Sequence, residues 1–350
     1  MTKYLGVADL QRMLSEIGAE RMMAEMGQFI REDFLRWECY QKSPRTANHS
    51  PDGVIELMPI SDAQFFAFKY VNGHPKNPLR QLPTVMAFGV LADVATGYPL
   101  LLSELTIATA LRTAATSALA ASLLARADSR RMALIGNGAQ SEFQAIAFMS
   151  QLGIREIRAY DVDREATDKL MANLAPYIGT GRLRVLAMES VSDAIAGADI
   201  ITTLTADKTN ATILSADMIG PGVHINAVGG DCPGKTELDA RILEMGAVVV
   251  EFEPQTRVEG ELQQMPADFP VRELWKVLQG VQNGRTSDSE ITIFDSVGFA
   301  LEDLSALRYL HAQANASDIG QHIEIVPRVH DPKDLYGYAM HKSPALLVAI

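Results

Sequence analysis

The chain of 350 residues carries 31 Lys plus Arg against 43 Asp plus Glu, which gives a net charge of −12. Single hydrophobic cores stop growing at roughly 250 to 300 residues, so this length predicts two domains. The 47% hydrophobic and 21% charged residues are typical of a globular protein and exclude a disordered one. The acidic surplus would repel phosphate backbones and anionic lipid, so we expect no nucleic-acid partner and no membrane partner.

The cysteines and the first residues of the chain bear on its compartment. Cys39 and Cys232 lie far apart and outside any metal-ligand spacing, so we expect no disulfide, no metal site and a cytoplasmic protein. Residues 1–5 lead into an acidic amphipathic stretch without the basic and apolar regions of a secretion signal. The Ala- and Leu-rich segment 108–127 contains Arg112 and several hydroxyl groups, which are costly in hydrocarbon, and it is predicted to be a buried helix.

The first part of the chain has the pattern of an antiparallel sheet. Residues 54–102 hold apolar runs such as 54–58 and 84–94, and the dipeptides Asn72-Gly73, His74-Pro75 and Thr96-Gly97 interrupt them. Such runs and turn residues are typical of hairpins. We therefore predict a separate, sheet-rich α+β domain over residues 1–120.

From residue 132 onward, short apolar runs alternate with helical patterns. The predicted strands are 132–135, 156–160, 183–188, 200–205, 223–228, 247–252 and 291–294. This alternation predicts an α/β domain with a parallel sheet covered on both faces by helices, a doubly wound Rossmann-type domain over residues 121–312. A helical stretch from 299 to about 314 follows, and residues 313–350 form a C-terminal segment that is expected to return to the first domain.

A glycine turn at the end of the first of these strands is a candidate dinucleotide site. Residues 136–141 read GNGAQS and precede a helical pattern that reaches Leu152. Gly136 can make the tight turn, Gly138 lets the backbone approach a pyrophosphate, and the exposed amides at the helix start face the phosphates. Because Ser141 stands where a third glycine is usual, a plain strand-turn-helix connection is the alternative.

The residue that ends the next strand supports the dinucleotide interpretation. Asp161 is placed where a carboxylate binds the hydroxyl groups of the adenosine ribose. An acid at this position would repel a 2′-phosphate, so NAD is favoured over NADP, although Arg164 lies nearby.

Three further strand ends should line the crevice where a nicotinamide would lie. They are Thr205, the segment Ala227-Val228-Gly229-Gly230, and the segment Asp295-Ser296-Val297-Gly298. The paired glycines allow a flat ring to approach the backbone, or they only form a turn. Asp231 follows them and is a candidate for acid-base work, with a turn-capping role as the alternative. Lys235 could face a phosphate, the nicotinamide or solvent, and Cys232 has no evident His partner that would make it a nucleophile.

The first domain offers cations in unusual settings. Arg112 lies among small residues of a helix, where a guanidinium needs a carboxylate or phosphate partner. Lys69 shares one face of a predicted strand with Phe65 and Ala67. Arg45 and Glu56 are ambiguous when taken alone.

The chain resembles the ornithine cyclodeaminase and mu-crystallin family over nearly its whole length, through strings that include Glu56, Lys69 and Arg112. The strings are residues 54–59, 68–75, 104–116 with Leu111-Arg112-Thr113, 135–144, 226–237 and 294–303. The resemblance includes Ser141 in the glycine loop. It implies a Rossmann NAD domain, a substrate-binding and dimerisation domain, a homodimer, and NAD as the cofactor.

The resemblance also implies roles for individual residues. The substrate carboxylate would bind Arg45, Lys69 and Arg112, with an amino group held by Glu56 and a further contact from Val297. Asp231 would be the catalytic acid-base. The implied NAD contacts are Thr84, Arg112, Gly136, Gly138, Ala139, Gln140, Asp161, Thr205, Ala227, Val228, Gly229, Gly230, Lys235 and Ser296.

The activity implied by the family is the conversion of L-ornithine to L-proline and ammonia. NAD would oxidise the α-carbon, the δ-amine would close a ring and release ammonia, and the cyclic imine would be reduced again, without net redox change. Lysine cyclodeaminase, alanine dehydrogenase, ketimine reductase and a non-catalytic binding protein are the alternatives on the same scaffold. Ornithine and lysine differ by one methylene, which is worth only about 1 to 3 kcal/mol in a pocket.

Overall fold

The computed structural model describes residues 1–206, 212–230 and 232–340. Its strands are β1 (Thr2–Leu5), β2 (Gln41–Lys42), β3 (Thr46–Ser50), β4 (Gly53–Ser61), β5 (Phe65–Gly73), β6 (Val85–Asp93), β7 (Pro99–Glu104), β8 (Arg131–Ile135), β9 (Glu156–Tyr160), β10 (Arg184–Ala187), β11 (Ile200–Thr203), β12 (His224–Ala227), β13 (Ala247–Val250), β14 (Arg272–Glu273), β15 (Thr292–Asp295) and β16 (Gln321–Ile323). Its α-helices are α1 (Val7–Ile17), α2 (Ala19–Leu35), α3 (Thr106–Leu124), α4 (Ser141–Leu152), α5 (Arg164–Asn173), α6 (Ala175–Gly179), α7 (Val191–Ile195), α8 (Ala240–Glu244), α9 (Glu253–Glu259), α10 (Leu274–Leu278), α11 (Ala300–Ser317) and α12 (Leu335–Met340). The strands form two eight-stranded sheets.

The first sheet is built on an antiparallel meander of β4, β5, β6 and β7. Its strand order is β16-β1-β7-β6-β5-β4-β2, and β3 also pairs with β4. Because successive side chains point to opposite faces of a strand, Glu56 and Met58 are buried while Ile55 and Leu57 are exposed. Asn72 and Gly73 end β5 instead of forming the turn, which begins after them.

The second sheet is parallel throughout, with the order β10-β9-β8-β11-β12-β15-β13-β14. The predicted fold class is confirmed, and every predicted strand of this part is found within two residues of its expected ends. Since β8 pairs with both β9 and β11, the strand order reverses at β8, and the crevice beyond its carboxyl end is where such sheets bind ligands.

Helix α3 links the two sheets. It contacts β6 of the first sheet and β12 and β15 of the second, and it packs against α2, α4 and α11. By length and composition it could cross a membrane, but 72% of it is buried inside the protein, as the sequence predicts for a core helix. The predicted domain limits at 120 and 312 fall inside α3 and α11 and stay predictions.

The chain end returns to the first sheet. After α11, β16 pairs antiparallel with β1, which in turn pairs parallel with β7. Residues Gln321 to Ile323 thereby sit at the edge of a sheet formed mostly by residues of the first third of the chain. This non-local pairing has no local sequence signal.

Candidate active site

A cavity of about 540 Å³ lies between the first sheet and the carboxyl ends of the second sheet. Its lining includes all five predicted substrate residues, Arg45, Glu56, Lys69, Arg112 and Val297. The predicted cofactor residues Thr84, Gly138, Ala139, Gln140, Val228 and Ser296 line the same cavity. The structure therefore brings residues from both predicted sites around one space.

Two of the cations meet a pair of acids at the start of α11. Lys69 on β5 donates to Asp303 at 2.8 Å, and the Arg112 guanidinium lies 3.1 Å from the same carboxylate. Arg112 also pairs with Glu302 at 2.5 Å. Each of these four side chains is at least nine-tenths buried. Arg112 thus has the carboxylate partners that its position in an apolar helix requires.

The third cation, Arg45, connects the first sheet to the second. Its guanidinium lies 3.0 Å from Glu56 and 3.1 Å from Glu259. It also donates to the carbonyl oxygens of Val297 and Gly298, each at 2.7 Å. A single side chain therefore fixes the loop after β15 against β4.

Burial shifts the pKa values of this cluster. Burial, together with the nearby Arg112 charge, lowers the pKa of Lys69 to about 8 even though Asp303 favours the charged ammonium. Burial also raises the pKa of Glu302 to about 8 against the opposing effect of Arg112. At Arg112 burial disfavours the charge, but Asp303 and Glu302 outweigh it, and the pKa is raised. Lys69 is therefore the cation of this cluster whose charge can change near neutral pH.

The glycine loop has the geometry of a pyrophosphate site. Gly136 has φ of 91°, and a Cβ there would lie 2.9 Å from the backbone of Leu204. A Cβ at Gly138 would meet nothing within 4 Å, so open space lies above that residue. Helix α4 starts at Ser141, whose hydroxyl donates to the Gly138 carbonyl oxygen at 2.8 Å. This serine therefore supports the loop at the position where a third glycine is usual.

Asp161 follows β9 and lies beside this loop. Its carboxylate accepts hydrogen bonds from the backbone amides of Asn137 at 2.6 Å and Asp163 at 2.9 Å. Nearby Arg164 is engaged with Glu189 at 3.3 Å and Asp168 at 3.4 Å. The arrangement fits an acid that receives ribose hydroxyls better than a guanidinium that receives a phosphate.

The remaining predicted residues do not line the cavity but lie at neighbouring strand ends or behind them. These are Gly136, Asp161, Thr205, Ala227, Gly229, Gly230 and Lys235. The amide and the hydroxyl of Thr205 donate to Glu237 at 2.7 and 2.5 Å. Lys235 is buried, with 4% of its surface exposed. Asp231, the predicted acid-base, lies outside the described residues.

With this geometry the chain can be compared with known proteins. The model of the ornithine cyclodeaminase/mu-crystallin family matches residues 8–318. The chain belongs to this family. The predicted resemblance is thereby confirmed. Over 97% of its length, the chain is 55% identical to an ornithine cyclodeaminase of Agrobacterium fabrum, covering 95% of that protein. It is 52% identical to an ornithine cyclodeaminase of Brucella melitensis biotype 1, over 98% of this chain and 94% of that protein.

Two solved structures have the same fold as this chain. An archaeal alanine dehydrogenase dimer with bound NAD is 30% identical, with a TM-score of 0.84 over 93% of this chain and 99% of that one. A lysine cyclodeaminase, described with L-lysine, L-ornithine and L-2,4-diaminobutyric acid, is 30% identical, with a TM-score of 0.89 over 96% of this chain and 98% of that one.

Sequence reasoning named Asp295 only as a strand end and missed three further buried acids near the strand ends, Glu237, Glu251 and Glu261. Glu237, Glu251, Glu261 and Asp295 each expose 1% of their surface or less. Glu251 accepts from the Ser296 hydroxyl at 2.5 Å and from the Val297 amide at 3.2 Å. Burial raises the pKa of Asp295 to about 7 and raises those of Glu251 and Glu261. Glu251 and Asp295 stand at the ends of apolar strands, which is a sequence signal that could have identified them. The hydrogen-bond partners of all four acids come from elsewhere in the chain.

Proposed function

We propose that the chain is an NAD-dependent ornithine cyclodeaminase, which converts L-ornithine to L-proline and ammonia. The observation that carries the proposal is the convergence of Arg45, Lys69, Arg112 and Glu56 on a cavity that also meets the glycine loop. Cations for a carboxylate and an acid for an amine in one cavity suit a diamino acid. The relatives that share 52 to 55% identity are named ornithine cyclodeaminase.

Glu56 is suited to hold an amino group of the substrate. Its Oε2 atom is engaged by Arg45, while its buried Oε1 atom has no hydrogen-bond partner within the part of the chain that the structure describes. An unpaired buried carboxylate oxygen is costly unless a donor reaches it. A substrate ammonium would provide that donor, and the neighbouring Arg45, Lys69 and Arg112 would bind the substrate carboxylate.

The described residues also fit an NAD molecule. Gly138 leaves open space at the start of α4, where backbone amides and the helix dipole favour phosphate. The buried Oε1 atom of Gln140 and hydroxyl of Thr109 lack hydrogen-bond partners among the described residues, and both side chains line the cavity. Bound NAD supplies reversible oxidation of the substrate α-carbon, so that the overall reaction needs no external oxidant.

Asp231 is proposed as the acid-base that serves the substrate amine. A δ-ammonium with a pKa of about 10.4 and a free aspartate with about 3.9 differ by roughly 9 kcal/mol for direct proton transfer. A base in this role needs a raised pKa and an amine with a lowered one, which a closed and dry cleft provides. Cys232, which follows Asp231 in the sequence, and Val228, three positions before it, line the cavity, which supports this role.

The test is incubation of the purified enzyme with L-ornithine, L-lysine or L-alanine and NAD at a concentration far below that of the amino acid. We expect proline and ammonia in equal amounts from ornithine, many times in excess of NAD, with no accumulation of NADH. Pipecolate from lysine as the faster reaction would instead indicate a lysine cyclodeaminase. Ammonia matched by NADH would indicate a dehydrogenase and would contradict the proposal.

A variant at the proposed catalytic position separates binding from chemistry. Asp231→Asn is expected to bind NAD with unchanged affinity and to lose proline formation. Unchanged proline formation by this variant would remove Asp231 from the mechanism.

We further propose that the protein is a homodimer that forms through the outward face of β4, β5 and β6. Ile55, Leu57, Phe66 and Phe88 expose between 39 and 43% of their surface on these strands. Clustered exposed apolar side chains mark interaction sites. A similar alanine dehydrogenase is described as a dimer, and it supports this assembly. A cytoplasmic location is proposed as well, since neither Cys39 nor Cys232 takes part in a disulfide among the described residues.

A further inference from the structure

We propose that Glu237, Glu261 and Asp295 form a carboxylate ladder, three buried acids in series, that positions the strand ends beside the nicotinamide and the loop that carries Asp231. The inference rests on the proposed function. It assigns to these three acids a positioning role, since they act through the backbone of other residues.

The first acid of the ladder ties two strand ends together. Glu237 accepts the amide and the hydroxyl of Thr205 at 2.7 and 2.5 Å on one oxygen, and the Gly229 amide at 3.1 Å on the other. Thr205 follows β11 and Gly229 follows β12, and both are proposed NAD contacts. One carboxylate therefore sets the spacing of two segments that would face the same ring.

The other two acids hold the first in place. Glu261 accepts the backbone amides of Glu237 and Leu238 at 2.7 and 3.0 Å. Asp295, the last residue of β15, accepts the amides of Glu261 and Leu262 at 2.9 and 2.8 Å. Asp295 on the sheet thus holds the backbone of Glu261, and Glu261 in turn holds the backbone of Glu237.

Three glycines make room for the ladder. A Cβ at Gly229 would overlap the carboxylate of Glu237. A Cβ at Gly230 would lie 2.9 Å from Glu261, and one at Gly260 would lie 2.6 Å from Asp295. The paired glycines before Asp231 are therefore required by the acids that lie behind them, whatever occupies the other side.

The energetic cost of the ladder argues for a role beyond stability. Burial raises the pKa of Asp295 to about 7 and that of Glu261 well above its usual value, which shows that the ionised forms are disfavoured. What the acids provide in return is geometric, because six backbone amides and one hydroxyl are fixed by directional bonds. Misplacement of a reacting group by about 1 Å can cost on the order of 100-fold in rate.

The test compares Glu237→Gln with Glu290→Gln. A glutamine at 237 retains one acceptor oxygen for Thr205 but turns an NH₂ group toward the Gly229 amide, so two donors face each other. Glu290 is the matched control, because it also accepts the amide and the hydroxyl of a threonine, Thr286, and it lies outside the cavity lining. Glu261→Gln is measured in parallel, so that a folding failure of one ladder variant does not remove the test.

Three quantities are measured on the full-length variants: kcat and KM for ornithine, NAD affinity by calorimetry, and NADH formed per ammonia released. We expect the ladder variants to lose about 100-fold in kcat with KM changed less than threefold, and to bind NAD at least tenfold more weakly. NADH per ammonia should rise, since the cyclic imine would escape before it is reduced. A merely structural lesion lowers the amount of active enzyme and leaves this ratio unchanged.

The results that would overturn the ladder are distinct from those that would overturn the proposed function. Unchanged NAD affinity or an unchanged NADH-to-ammonia ratio in the ladder variants refutes the positioning role, as does an equal effect of Glu290→Gln. If the unaltered enzyme forms no proline, the proposed function fails, and NAD affinity alone then decides whether Glu237 positions the strand ends.

Discussion

The glycine loop allows a sharp prediction, because its two glycines are required for different reasons. Gly136 has φ of 91°, and a side chain there would lie 2.9 Å from the Leu204 backbone. Strain at such a φ costs about 1 to 3 kcal/mol, and overpacking costs about as much again. We expect Gly136→Ala to lower the free energy of unfolding by about 2 to 6 kcal/mol, measured by urea denaturation of the protein without ligand.

Gly138→Ala should behave in the opposite way. A methyl group at this position meets no atom within 4 Å and requires no unusual backbone angle, so the free energy of unfolding should stay within about 0.5 kcal/mol of its original value. The methyl group would occupy the space proposed for the pyrophosphate. Loss of one charge-assisted hydrogen bond costs about 1.5 to 3 kcal/mol, which corresponds to NAD binding weakened about 10- to 150-fold.

The assay is calorimetric titration of each variant with NAD, alongside the urea transition. Unchanged NAD affinity in Gly138→Ala would place the pyrophosphate elsewhere and refute the proposed cofactor site. An unchanged urea midpoint in Gly136→Ala would contradict the backbone argument while leaving the cofactor site untouched.

Further predictions concern the cations and the assembly. Arg112→Ala leaves Glu302 and Asp303 without a guanidinium, so it should lower the free energy of unfolding in denaturant by about 3 to 5 kcal/mol. The same variant should weaken ornithine binding by about 2 to 5 kcal/mol. Unaltered ornithine affinity would contradict the proposed contact of Arg112 with the substrate carboxylate. Because burial lowers the pKa of Lys69 to about 8, KM for ornithine should rise as the pH passes 8 and the cation is lost, and Lys69→Met should abolish that dependence. The sign for stability is the reverse, since the unfolded chain keeps this proton up to about pH 10.5 and the contribution of Lys69 to stability should increase from pH 8 to that value. Phe88→Glu on the exposed sheet face should shift sedimentation from dimer to monomer, and an unchanged dimer would place the interface elsewhere.

The fold of the second sheet could be predicted because its signal is local. Parallel strands covered on both faces are often continuous apolar runs, as in β13 (Ala247–Val250). The alternating strand β9 also begins and ends at the predicted residues Glu156 and Tyr160. Helix α2 and the pairing of β16 with β1 were not predicted. The pairing joins residues about 320 positions apart, and no local pattern encodes it.

The candidate site was predictable only in part, for a related reason. A family resemblance supplied roles for Arg45, Lys69 and Arg112, and the structure places these side chains on one cavity. The resemblance supplied no role for Glu237 or Glu261. An acid in a loop is expected to be exposed to solvent unless its hydrogen-bond partners are known. Those partners, such as Thr205 and Leu238, lie up to 32 residues away along the chain.

A second set of buried acids, Glu56, Asp303 and Glu302, explains how three cations can share one cavity. Arg45, Lys69 and Arg112 would repel one another in a dry site, and each is held instead by a carboxylate within about 3 Å.

The loop after β15 lies between these cations and the buried acid Glu251. Its amides at Val297 and Gly298 face Glu251 on one side, while its carbonyl oxygens receive Arg45 on the other. Hydrogen bonds in such a series strengthen one another in a low-dielectric interior. The acids behind the strand ends and the cations in front of them therefore act as one electrostatic unit, in which displacement of either set would move the other.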